Sequence, residues 1–166
     1  MFTIRPAITT DLRSITEIYN DAILNTTATF DTEIKTMEER KIWFANHGDL
    51  HPIRIAIEND QIIGWASLSK WSDRCAYDTT VEVSVYVHKN FRGKGIGKKL
   101  LEAVTFAGEK AGVHTILSRI VEGNQISIHL HEALGYKHVG VMKEVGKKFG
   151  KYLDVYMMQK VFHDNG

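Results

Sequence analysis

Residues 81–101 read VEVSVYVHKNFRGKGIGKKLL, and a change of period inside them decides the architecture. Through His88 the stretch alternates: Val81, Val83, Val85 and Val87 share one face, Glu82, Ser84, Tyr86 and His88 the other. A period of two rich in β-branched residues predicts a strand. Further on, Ile96, Leu100, Val104 and Ala107 recur at helical spacing. Between the two patterns lie Gly93, Gly95 and Gly97, interleaved with Arg92, Lys94, Lys98 and Lys99. A strand therefore feeds a glycine-rich loop that opens a helix. The first N–H groups of a helix have no intrahelical acceptor, and glycines leave them uncovered, so such a loop is an anion site. The surrounding basic residues favour phosphate.

Outward from this stretch, the chain reads as one domain over residues 1–166, long enough for a substantial core. A formal net charge of +1 carries no nucleic-acid footprint. Cys75 is the only cysteine, which excludes an internal disulfide and suits a reducing, cytoplasmic setting. The segment from Met1 to Pro6 lacks a signal-peptide pattern, and no apolar run is long enough to span a membrane, so no membrane partner is expected.

In chain order, Phe2 to Arg5 predicts a short strand stopped by Pro6. Thr9, Thr10 and Asp11 offer caps for a helix striped by Leu12, Ile15, Ile18, Tyr19, Ala22 and Ile23. Asn25 to Asp31 reads as a loop. Thr36-Met37-Glu38-Glu39 is a capping box opening a helix that carries Trp43 and Phe44. Ile53 to Glu58 and Ile62 to Ser69 predict a hairpin turning at Asn59-Asp60-Gln61, followed by a polar loop, Trp71 to Asp78. Beyond the central helix, ended by Gly112, Thr115 to Val121 predicts a strand. Asn124 caps a helix from Gln125 to Leu134, with Gly135 in the C-terminal glycine position. Tyr136 to Lys143 and Tyr152 to Val161 predict strands joined by a basic turn, Gly146 to Lys151. Hairpins alternating with strand–helix–strand units imply an α/β (α+β) fold: a mixed, mostly antiparallel sheet with helices on both faces.

Three phosphate loops resemble the glycine stretch. The P-loop fails because Arg92 replaces its first glycine and Lys99 its Ser or Thr. The dinucleotide fingerprint fails because Lys98 stands where its last glycine belongs. The acetyl-CoA loop of the GNAT acyltransferases, Gln/Arg-x-x-Gly-x-Gly/Ala, is met in full by Arg92-Gly93-Lys94-Gly95-Ile96-Gly97. The likeness extends along the chain. Tyr19-Asn20, Thr27 to Asp31, Glu39-Arg40 with Trp43-Phe44, Arg74 with Ala76-Tyr77, Thr80 to Val87, and Leu130-His131-Glu132 with Leu134-Gly135-Tyr136 together resemble the phosphinothricin and methionine sulfoximine N-acetyltransferases.

That resemblance implies a single GNAT domain, acetyl-CoA as donor, no metal, and a homodimer. It implies donor contacts from Val85, Tyr86 and Val87 along the strand, from Arg92, Gly93, Lys94, Gly95, Ile96, Gly97 and Lys98 in the loop, and from Asn124. Glu82, which interrupts a valine strand, fits a general base: an amine must lose its proton before it attacks a thioester. Arg74 would bind an acceptor carboxylate, with Cys75, Ala76 and Tyr77 completing that wall and Phe30 covering the acceptor's apolar stem. His131 stands where many relatives of the wider superfamily place a tyrosine that protonates the leaving thiolate. It is open to three roles: general acid, substrate contact or packed core residue. His129 and His131, two apart on a helix, point to nearly opposite sides and form no zinc motif. Two other readings compete with a small-molecule N-acetyltransferase. One is a peptide or protein N-terminal acetyltransferase; the other is a catalytically silent acyl-CoA sensor.

Overall fold

The computed structural model describes residues 1–163; positions 164–166 of the expected domain lie outside the described residues. The strands are β1 (Thr3–Pro6), β2 (Ile53–Glu58), β3 (Gln61–Lys70), β4 (Thr80–Val87), β5 (Thr115–Val121), β6 (Lys137–Lys148) and β7 (Lys151–Val161). The helices are α1 (Leu12–Asn25), α2 (Met37–Ala45), α3 (Ile96–Ala111) and α4 (Gln125–Ala133). The seven strands form one sheet in the order β1-β2-β3-β4-β5-β7-β6. Only β4 and β5 run parallel, joined by the crossover helix α3.

The two faces of the sheet bury different side chains because the strands alternate. Val81 and Val83 join Ala66 and Leu68 on the face that receives Ile96, Leu100 and Val104 of α3 and Ile128 of α4. Ile55 and Trp65 face the other way, against Ile15, Ile18, Tyr19 and Ile23 of α1, with Trp43 and Phe44 of α2 packed beside them. Each fully buried Leu or Ile contributes about 1.5–3 kcal/mol. The fold expected from the sequence is thus present, with helices on both faces of a mixed sheet.

Local signals explain most boundaries. The Thr36 hydroxyl accepts the Glu39 N–H at 3.1 Å and starts α2. Asn59 and Asp60 both adopt positive φ, as a two-residue hairpin requires. The Asn124 side chain accepts the Ser127 N–H at 3.1 Å and caps α4. Several boundaries differ from the sequence reading: Pro6 does not stop β1 but pairs with Arg54 at its end, and Gln61 belongs to β3 rather than to the turn. Strand β4 stops at Val87, because His88 turns out to accept the Asn90 N–H on its ring and caps a short 3-10 turn, Lys89–Phe91.

The basic turn expected over Gly146 to Lys151 is shorter, reduced to Phe149 and Gly150 at φ 52° and 75°. Pairing of β6 with β7 lapses after Met142 and resumes at Gly146, opposite Leu153. The bulge is held by Asp154, whose carboxylate accepts the Glu144 N–H at 2.8 Å and pairs with Lys143 at 3.2 Å. Lys148 is buried and donates to the Thr29 carbonyl at 2.8 Å. Burial lowers its pKa. The hairpin end is therefore fastened over the loop that carries Phe30.

Candidate active site

Strands β4 and β5 pair only at Thr80–Thr115, Val81–Ile116 and Glu82–Leu117. Beyond Glu82 they part, and β5 follows β7 to its end. The His88 N–H donates to the Ile63 carbonyl across β3 at 2.8 Å. Backbone groups alternate along an antiparallel strand, so those of Val83, Val85 and Val87 point the opposite way, into the gap. The Val87 carbonyl there accepts Arg92 Nε–H at 3.3 Å. A strand edge without a partner strand can pair with an extended amide-bearing ligand.

A cleft of about 530 Å³ occupies the gap. The Thr29-Phe30-Asp31 loop, Glu82 to Tyr86 of β4, Ser118 and Arg119 of β5, and Asn124, Ser127 and His131 around α4 all line it. Glu82 stands at the apex, where pairing ends. Its carboxylate accepts two bonds from Arg119, Nε to Oε1 at 3.0 Å and Nη2 to Oε2 at 2.5 Å. The Arg119 guanidinium also lies 5.4 Å from the Trp71 ring centre.

On the opposite wall Tyr19 hydrogen-bonds Thr29 and Asp31. Burial raises the Tyr19 pKa, with Tyr86 and Asp31 adding to it. Burial likewise pushes Tyr86 up to about 12, and the carboxylates of Asp31 and Glu82 push the same way. Both phenols therefore stay protonated as donors. Beneath them Arg40 is buried over Trp43 at 3.7 Å, and burial lowers it to about 10.

His131 is 5% exposed. Its Nδ1–H donates to the Ser127 carbonyl at 2.7 Å, so Nε2 accepts the Ser118 hydroxyl at 2.9 Å. Burial lowers its pKa, which keeps the ring neutral. Of its three open roles, this bonding favours the packed residue: the one ring proton is already committed to a carbonyl. In the glycine loop, Gly93 and Gly95 sit at φ 80° and 79°, where a side chain is strained, and a Cβ on either would meet nothing within 4 Å. The loop presents bare backbone at the start of α3.

Phe30, Glu82, Val85, Tyr86, Asn124 and His131 thus share one cleft. Val87, Arg92, Gly93, Lys94, Gly95, Ile96, Gly97 and Lys98 lie outside its lining, continuing from the open end of β4 into α3. Arg74, Cys75, Ala76 and Tyr77 form an exposed turn on the β3–β4 loop, also outside the lining. Sequence reasoning missed Arg119, Ser118 and the Tyr19–Asp31 pair. Arg119 had a visible signal: like Glu82, it is a charge interrupting an apolar strand.

An unpaired strand edge, a bare helix start and an apical carboxylate suit a protein that holds an acyl thioester and deprotonates its attacker, which puts the chain among the acyltransferases. Residues 4–157 match the family described as acetyltransferase (GNAT) domain, and the chain belongs to that family. It is 38% identical over 156 residues to phosphinothricin N-acetyltransferase of Streptomyces coelicolor, covering 92% of this chain and 91% of that one. It is 40% identical over 160 residues to L-methionine sulfoximine/L-methionine sulfone acetyltransferase of Pseudomonas aeruginosa, covering 94% and 92%. A phosphinothricin acetyltransferase from Sinorhizobium meliloti, solved in complex with acetyl-CoA, superposes with a TM-score of 0.92 at 37% identity, covering 96% of this chain and 88% of that one. The protein is a GNAT N-acetyltransferase, and the reading as a silent sensor falls away.

Proposed function

We propose that this enzyme transfers the acetyl group of acetyl-CoA to the amine of a small amino-acid-like acceptor of the phosphinothricin, methionine sulfoximine or methionine sulfone type. The observation that carries the reading is Glu82 at the apex of the β4–β5 gap, in a cleft of small-molecule size. The names of the relatives support the acceptor class. A peptide acceptor would need an open groove, whereas Phe30 and Tyr86 wall this cleft.

The residues fit the donor. The backbone of Val83, Val85 and Val87 suits its amide arm, and Gly93 to Lys98 its pyrophosphate, with Asn124 on the far side. Bound there, acetyl-CoA supplies an activated thioester carbonyl. Glu82 accepts the acceptor's ammonium proton, directly or through water, on a lone pair that Arg119 leaves free. Phe30 covers the apolar stem, and Arg74 is the carboxylate cation that the resemblance implies, with Cys75, Ala76 and Tyr77 beside it on the same turn. His131 holds Ser118 in the cleft wall. A homodimer has support in β6, an edge strand exposing Val139, Val141 and Val145. A cytoplasmic setting suits the exposed Cys75 thiol.

Glu82→Gln tests the base. Turnover should fall roughly 10²- to 10⁴-fold with donor affinity retained. The defect should shrink as pH rises, since more amine then arrives deprotonated. A folded variant whose kcat/KM profile runs parallel to wild type from neutral to alkaline pH would exclude Glu82 as the base.

A further inference from the structure

Arg119 does more in this cleft than hold Glu82. A guanidinium has five N–H donors in a rigid plane. Nε–H and one Nη2–H go to Glu82, and the other three meet no acceptor among the described residues. The side chain is 52% exposed, so those donors stay open to a ligand. Trp71 lies 5.4 Å from the guanidinium and gives the plane a second support. Among the described residues lining the cleft, Arg119 is the one Lys or Arg, whereas Asp31 and Glu82 both carry carboxylates. An anionic ligand group entering this cleft has one cation to meet.

The geometry of an α-amino acid makes the position telling. Its amine nitrogen and carboxylate carbon are bonded to the same atom, roughly 2.5 Å apart from standard bond lengths and angle. A cation that receives the carboxylate must therefore adjoin the base that receives the amine proton. Arg119 and Glu82 satisfy this, touching at 2.5 and 3.0 Å. Their placement follows from the strands: Glu82 pairs with Leu117, and Arg119, two residues on, projects from the same face. Arg74 sits on an exposed turn outside the lining.

We propose that Arg119 is the receptor for the acceptor's α-carboxylate, taken on the guanidinium edge that Glu82 leaves free, so that one ion pair both recognises an α-amino acid and presents its amine to the base. The inference rests on the acceptor class proposed above and refines it: α-amino acids are favoured over simple amines, and the α-carboxylate role that the resemblance implies for Arg74 passes to Arg119, which lines the cleft, leaving Arg74 to the far end of the acceptor.

The test compares kcat/KM for methionine sulfone and for the primary amine lacking its carboxylate, in wild type, Arg119→Ala and Arg74→Ala. A ratio is used because any disturbance of Glu82 lowers both substrates and cancels. In wild type the amino acid should be strongly preferred. In Arg119→Ala the preference should fall roughly 10- to 100-fold, the contribution of charge-assisted hydrogen bonds to a carboxylate. Arg74→Ala should keep most of the preference. Should Arg119→Ala fold poorly, Arg119→Gln keeps a polar stem over Trp71 without the charge and should lose the preference likewise. An unchanged ratio in either Arg119 variant, or a collapse confined to Arg74→Ala, overturns the assignment while leaving the acetyltransferase reading standing. Wild-type enzyme that acetylates neither compound overturns the acceptor class, and this inference with it.

Discussion

Gly146 lies against the ring of Phe30. A Cβ added there would stand 2.2 Å from Cε2, 2.5 Å from Cδ2 and 2.7 Å from Cζ of that ring. Carbon atoms pack comfortably at about 3.7 Å, so in Gly146→Ala the ring must retreat by roughly 1.5 Å. Its loop cannot follow freely, because Lys148 pins the Thr29 carbonyl. Overpacking of this kind costs about 1–3 kcal/mol. In a chain of this length that lowers Tm by roughly 2–4 °C per kcal/mol. Because Phe30 lines the cleft, the acceptor KM should rise several-fold, whereas affinity for CoA, proposed to rest on the glycine loop outside that lining, should hold steady. A double-mutant cycle isolates the contact. In a Phe30→Ala background the added methyl meets no ring, so Gly146→Ala should then cost almost nothing, a coupling of about 1–3 kcal/mol. Thermal denaturation of the four proteins with acceptor kinetics provides the measurement. Additive Tm changes, or an acceptor KM untouched by Gly146→Ala, would refute the claim that Gly146 exists to seat Phe30 at the acceptor site.

Gly95→Asp places a negative charge where pyrophosphate is expected and forces a side chain onto a φ of 79°. The rise in Tm that CoA gives wild type should vanish, and a retained rise would sink the loop assignment. His131 is neutral in the fold with its pKa lowered by burial, so its contribution is fully present above the ordinary value of 6.5. It is lost as pH falls from there toward the lowered value, because the unfolded chain binds a proton that the fold refuses. His131→Gln should make the acid limb of the stability curve shallower by up to about 1.4 kcal/mol per pH unit; an unaltered slope in urea titrations would count against a buried neutral imidazole. His47 and His51, also lowered by burial, should keep part of that limb in the variant.

The sequence by itself determined the order of elements, the mixed sheet and the glycine-rich loop that opens α3, because each rests on local rules. Val81 to Val87 alternate, Ile96 to Val104 step at helical spacing, and Gly93 and Gly95 mark positive φ, whatever the rest of the chain does. Glu82 was legible for the same reason, as a charge in a valine strand. What only the tertiary structure decided is which distant residues meet. Glu82 and Arg119 are 37 positions apart and touch because α3 returns the chain to a parallel strand in one particular register. The neutral state of His131 comes from its burial where α4 packs back onto β5, with Nε2 turned to the Ser118 hydroxyl. Lys148 looked like part of a basic turn, and its burial against Thr29, 119 residues away, comes from a bulged hairpin folding over the cleft. Periodicity reports the face on which a side chain lies. Its partner across the sheet is set by register and crossover, which no local pattern encodes.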